Sequence, residues 1–229
     1  MTYSIIARCG RTGLLGVATA TSDMAVGARV PWVRSGTGAV VTQHRTDPRL
    51  GPRMLDILDA GATAEDAVRA TVGSTPDADW RQLAAIGARG PAAAYTGARI
   101  DASAATTVLA DDHAVVGNIL AAPGVGPAVS AAFRADPSAE LAERLVSALE
   151  AGLEAGGETD PLRSAALLVH GAQRFPLVDL RVDDHAEPLT ELRRLWELYA
   201  PSAGEYVRRA LHPDDATGRA PVPEGEARV

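Results

Sequence analysis

The chain has 229 residues, 46% of them apolar, which suits one domain with a substantial core rather than several. Its formal net charge of −7 and pI near 5.2 lack the basic excess of a polyanion-binding surface, so a nucleic-acid partner is not expected. Every fixed cation is an arginine, because the sequence contains no lysine. A lysine general base or Schiff base is therefore excluded.

In chain order, the β-branched segment Tyr3–Ala7, the glycine-punctuated turn around Arg11 and the Val/Thr-rich run Leu14–Thr21 read as a β-hairpin. Gly38–Gln43 reads as a third strand. A helix over Met54–Asp59 follows, then a second helix opened by Thr63 as N-cap with acidic residues in its first turn. Gln82–Ile86, Ala92–Thr96, Thr106–Leu109 and His113–Leu120 read as four short strands. Helical stretches follow over Gly126–Phe133 and Ser138–Ala155, the second stopped by Gly156-Gly157. Ser164–His170 and Leu177–Val182 read as strands and Pro188–Tyr199 as an amphipathic helix. The expected organisation is one domain over residues 1–212 with a flexible tail over 213–229, rich in Pro, Gly and charge. Runs of strands alternating with pairs of helices suit an α+β layered fold, and two sheets between helices (αββα) satisfy the order.

Thr2 is the first residue with chemical promise. Its small neighbourhood at position 2 favours removal of Met1, leaving a hydroxyl and a free α-amine on one carbon. An α-amine titrates near 8, so a neutral fraction is present at pH 7 to take the hydroxyl proton, and one residue supplies nucleophile and base. With the hairpin centred near Arg11, Thr2 is expected opposite about Ala20, beside Thr19, Thr21, Ser22 and Asp23. Asp23 would fix the terminal ammonium and Ser22 would relay its proton; β-propensity and a turn cap explain the same residues without chemistry.

Gly117-Asn118 interrupts an otherwise apolar strand, so Asn118 is a candidate donor to a developing oxyanion or a residue holding a bulge. Asp179, Arg181 and Asp183 alternate onto one strand face, as a substrate grip or as a structural ion-pair row. Gln43 and His44 end the third strand and are candidate substrate contacts. Gly36-Thr37 resembles an autocleavage junction but reads better as a turn, and Gly124-Val-Gly126 is too short for a dinucleotide loop. The lone Cys9 permits no internal disulfide, and cysteine metal spacings are missing, so no metal or cofactor is expected. The first residues show no basic stretch ahead of a long apolar run, and no stretch approaches a membrane span. A cytoplasmic protein without a membrane partner is expected.

Taken together, several blocks resemble one family. They include TYSIIAR from Thr2, AVGARVPW from Ala25, GTGAVVTQ from Gly36, Gly51-Pro-Arg, Ala94–Gly97, GNILA from Gly117, Ser164–Val169 and VDLRVDDH from Val178. The family is the bacterial and archaeal domain of unknown function 1028, placed among the N-terminal-nucleophile (Ntn) hydrolases; the resemblance runs from residue 2 to about Leu198. It implies a four-layer αββα sandwich, Thr2 as nucleophile, and hydrolysis of C–N bonds in amides, without supplying the substrate; the charged Asp179/Arg181/Asp183 row suits a small polar amide better than a long peptide. Cys9 stands where the family often has an acidic residue, and His44–Pro48 depart from its usual loop. Proteasome-like relatives set a lysine beside the nucleophile; here Arg29 or Arg34 could hold that place but not act as base. The competing expectations are a non-catalytic ligand-binding or scaffold module on the same fold, and an enzyme using Cys9 or Thr37. A homo-oligomer, a dimer first of all, is expected.

Overall fold

A computed structural model describes residues 1–216. Two antiparallel sheets lie face to face. The first has six strands: β1 (Thr2–Arg8), β2 (Leu15–Thr21), β7 (Ala105–Leu109), β8 (His113–Asn118), β9 (Ser164–His170) and β10 (Pro176–Val182), in the order β10-β9-β2-β1-β8-β7. The second has β3 (Pro31–Arg34), β4 (Gly38–His44), β5 (Arg81–Gly87) and β6 (Ala93–Thr96) in sequential order. Strands β1 and β2 are buried along both faces, one face meeting the other sheet and one meeting helices.

Three apolar layers follow from that arrangement. Between the sheets lie Ile6, Val17, Val41, Ile86, Val116 and their neighbours. Outside the smaller sheet, helices α1 (Leu50–Asp59) and α2 (Ala64–Gly73) pack Met54, Leu55 and Ala67 against Val40 and Leu83. Outside the larger sheet, α3 (Val125–Ala135), α4 (Leu141–Glu154) and α5 (Pro188–Leu211) cover Tyr3, Ile5 and Leu167 with Phe133, Leu145, Leu149 and Trp196. The architecture is therefore the four-layer αββα sandwich.

Several elements differ from the sequence reading. Tyr3, not Thr2, pairs with Ala20, because the turn is longer than expected: Cys9 and Leu14 close it and Gly13 takes φ +71°. Strand β3 was not foreseen. Helix α4 starts at Leu141, since Ser138 is engaged by Asp136, with its N–H 2.9 Å and its hydroxyl 2.5 Å from Oδ1. Helix α5 continues through Pro201 for another ten residues. The proline withholds one N–H, but buried Leu192, Trp196 and Ser202 keep the axis on the sheet. Of the expected tail, Pro213–Asp215 forms a 3-10 turn, and residues 217–229 lie outside the described residues. No described helix is long and apolar enough to cross a membrane.

Candidate active site

One end of the sandwich opens into a cleft of about 460 Å³ lined by Thr2, Thr21, Asp23, Arg29, His44, Arg45 and their neighbours, including Met1 and Ile119. Thr2 sits on its floor at 5% exposure, paired through its backbone with Asn118 on β8. Its hydroxyl lies 3.4 Å from that of Thr21 on the adjacent strand. Both hydroxyls reach the carbonyl oxygen of Met1, Thr21 at 2.5 Å. A carbonyl can only accept, so both donate to it. The two hydroxyls are thus turned toward one side of the chain start, the side of the peptide bond between Met1 and Thr2.

Beneath Thr2, a polar seam crosses between the sheets. Gln43 Nε2 donates to the Thr2 carbonyl at 3.3 Å and to Gln82 Oε1 at 2.8 Å. Its Oε1 accepts from Ser4 at 2.6 Å. Gln82 in turn accepts from Asn118 Nδ2 at 2.9 Å and donates to the Gly117 carbonyl at 2.9 Å. Gln43, Gln82 and Asn118 are fully buried. Gln43 therefore acts on the backbone of Thr2 rather than on the cleft, and the Asn118 amide is turned inward to Gln82, with its Oδ1 lacking a partner. Of the residues singled out for oxyanion and substrate contact, these two lie below the cleft wall.

Glu158, which no local sequence signal singles out, follows the Gly156-Gly157 stop of α4. It is buried, accepts the backbone N–H of Ser22 at 3.0 Å through Oε2, and leaves Oε1 buried without a partner. Burial pushes its carboxyl up to about 7, with Asp23 adding to the rise. The Ser22 donors and the terminal ammonium pull the other way. Thr159, next in sequence, places its hydroxyl 3.2 Å from the Met1 sulfur, so this loop packs at the start of the chain. Ser22, expected as a proton relay, does not line the cleft; its backbone is engaged by Glu158. Asp23 lines it, is exposed, and its N–H donates to the Thr21 hydroxyl at 3.3 Å.

The outer wall is built on Trp80. His44 stacks on the indole with ring centroids 6.1 Å apart, and its Nδ1 lies 2.8 Å from the Trp80 carbonyl. That carbonyl only accepts, so Nδ1 carries the proton and Nε2 is the nitrogen left for other contacts. The guanidinium of Arg45 lies 4.6 Å from the indole centroid. His44 (φ +58°) and Ile119 (φ +56°) both line the cleft in left-handed backbone geometry, and Ala25 (φ +56°) lies just behind Val26. Three non-glycine residues in that region, gathered at one cavity, mark a locally strained site.

Asp179 and Arg181 lie on the edge strand β10 and Asp183 just past its end, and none of the three lines the cleft. Arg181 and Asp183 lie behind the loop that does: the Asp183 carbonyl accepts from Ala25 N–H at 2.7 Å. A Cβ on Gly27 would stand 2.8 Å from Arg181 Cγ. Cys9 and Thr37 are remote. Cys9 is buried beyond the far end of β1, seven residues or roughly 23 Å from Thr2. Thr37 donates to Asp59 Oδ1 at 2.8 Å, and Arg34 pairs with Asp56 at 2.7 Å, away from the cleft. Among the described residues, no group of three or more His, Cys, Asp or Glu side chains gathers as a metal site.

Residues 2–192 match a family described as a family of unknown function, DUF1028. A crystal structure of a protein from Silicibacter pomeroyi assigned to that family superposes with a TM-score of 0.82 at 32% identity, covering 91% of this chain and 94% of the other. Fainter likenesses include the Anbu (Gly-1) mutant from Hyphomicrobium sp. strain MC1, with a TM-score of 0.48, 12% identity, and 92% and 96% coverage. Anbu (ancestral beta-subunit) from Yersinia bercovieri gives 0.43 and 11%, covering 92% and 97%. No curated protein gives a significant match.

Proposed function

The chain belongs to the DUF1028 family, and we propose that it is an Ntn-type amidohydrolase that cleaves a C–N bond in a small polar amide, with Thr2 as nucleophile. The observation that carries this reading is the pair of hydroxyls, Thr2 and Thr21, converging on one carbonyl oxygen at the floor of an open polar cleft. Cleavage of the Met1–Thr2 bond uncovers the α-amine of Thr2. The neutral amine takes the Oγ1 proton, directly or through a water, as Oγ1 attacks the substrate carbonyl. The Thr21 hydroxyl then donates to the oxyanion. The leaving nitrogen departs with the proton held by the amine. Water, deprotonated by the same amine, attacks the resulting ester, releasing the acid and restoring Oγ1–H. Asp23 supplies the negative charge that steadies the ammonium form between these steps, and Glu158 adds to it in its ionised fraction.

Intact mass of the wild type and of Thr2→Ala, before and after exposure to a panel of acyl amides, tests this reading. Loss of Met1 together with an acyl adduct confined to the wild type is expected. Retained Met1, or an adduct that survives in Thr2→Ala, refutes it.

A further inference from the structure

The cleft runs against the charge of the whole chain. The protein carries a net −7, yet the fixed side-chain charges lining the cleft are Arg29 and Arg45 against one carboxylate, Asp23. Arg29 is half-buried, and no carboxylate among the described residues forms an ion pair with it, whereas Arg34, Arg163 and Arg193 are all paired. A guanidinium that lines the cleft without a carboxylate partner leaves its donors available to an anion there.

The backbone that carries Arg29 is firmly tied. It follows the 3-10 turn Val26–Ala28. Ahead of it, Ala25 N–H is tied to the Asp183 carbonyl at 2.7 Å and Val26 N–H to the Ser164 hydroxyl at 3.1 Å. Its own carbonyl accepts from Trp32 Nε1 at 3.2 Å. Gly27 is packed so closely on Arg181 and Ala166 that no side chain fits there. Across the cleft, Trp80 holds Arg45. A cation on a pinned backbone, in the same cavity as the nucleophile, is the arrangement that orients a charged substrate.

We infer that the substrate carries a carboxylate beside its scissile amide, as N-acyl and N-carbamoyl amino acids do, and that Arg29 grips it. The inference rests on the proposed amidohydrolase reading and names its substrate class. A planar fork matches a carboxylate through two parallel N–H donors. A phosphate dianion would face Asp23 in the same small cleft, which disfavours it.

The test is equilibrium binding by titration calorimetry, using a panel of N-acetyl and N-carbamoyl amino acids, each beside its methyl ester. Thr2→Ala and Thr2→Ala/Arg29→Met are compared, with thermal melts confirming that both fold. The acids are expected to bind Thr2→Ala about ten-fold or more tightly than their esters, and Arg29→Met to erase that difference. Equal affinity, tighter ester binding, an acid preference that survives Arg29→Met, or no binding by any acid overturns the inference. Failure of the nucleophile reading shows separately, as binding without any acyl adduct on the wild type. Adducts formed from uncharged amides alone would keep that reading and sink this one.

Discussion

The backbone N–H of Ser22 donates to Oε2 of Glu158 at 3.0 Å, while Oε1 of the same carboxyl is buried without a partner. Burial drives that carboxyl from its ordinary 4.5 up to about 7. The folded state therefore holds the proton more tightly than the unfolded chain. The stability this contributes is complete below about 4.5 and is lost as pH rises through about 7. Glu158→Gln keeps an acceptor for Ser22 and removes the titration. Thermal midpoints measured at pH 5, 6, 7 and 8 are expected to fall less steeply with pH in Glu158→Gln than in the wild type. The largest gap in slope lies between pH 5 and 7, at most about 1.4 kcal/mol per unit. Parallel curves would show that Glu158 is ionised throughout.

Thr21 is 1% exposed and faces Thr2 across β1 and β2. Valine has nearly the same shape without the hydroxyl, so Thr21→Val isolates the donor from the packing. Loss of one preorganised donor to an oxyanion costs about 100-fold or more in rate. Single-turnover acylation is expected to drop by that order in Thr21→Val and to return largely in Thr21→Ser, with circular dichroism unchanged. Full acylation in Thr21→Val would remove Thr21 from the mechanism.

The hairpin β1–β2, the αββα order and the place of Thr2 were legible in the sequence, because alternating β-branched residues and glycine stops are local signals. The register was not, because one extra turn residue, allowed by Gly13 at φ +71°, moves every pairing by one position. Strand β3 (Pro31–Arg34) is short and opens with a proline, which hides it. The alternation of Asp179, Arg181 and Asp183 could be read, but what their face meets depends on where β10 docks. Glu158 stands 156 positions from Thr2 in a glycine-led loop, and only the fold makes it a buried carboxyl at the start of the chain. Asn118 broke a local rule for a reason that lies in the other sheet, the side chain of Gln82.

Gln82 binds that seam together. Its Oε1 accepts from both Gln43 and Asn118, and its Nε2 donates to the Gly117 carbonyl and to Thr96. Gln82→Leu strands two buried amide donors and a carbonyl, each costing about 1–3 kcal/mol when unsatisfied. Urea unfolding is expected to show a loss of about 2–5 kcal/mol, since the neighbours recover part of it. Gln82→Glu offers two acceptors but loses the Nε2 donor, so it is expected to fall between leucine and wild type. A loss under about 1 kcal/mol for Gln82→Leu would mean that water replaces the amide.

Two helical glycines should answer the same substitution with opposite signs. Gly126 in α3 packs directly on β7: a Cβ there would meet the Thr106 side chain, with Cγ2 at 2.7 Å and Cβ at 2.9 Å. Gly204 in α5 is exposed, with nothing within 4 Å of its Cβ direction. Alanine is favoured over glycine inside a helix by about 0.8–1.0 kcal/mol, so Gly204→Ala is expected to stabilise by up to that amount. At Gly126 the propensity gain meets an overpacking cost of about 1–3 kcal/mol against strand-mounted atoms, and the cost wins. Gly126→Ala is expected to destabilise. Thr106→Ala removes the offending Oγ1 and Cγ2, so the double variant should recover most of the loss, and the double-mutant cycle should show favourable coupling. Additive effects in that cycle would mean that α3 shifts away from β7 instead of pressing on Thr106.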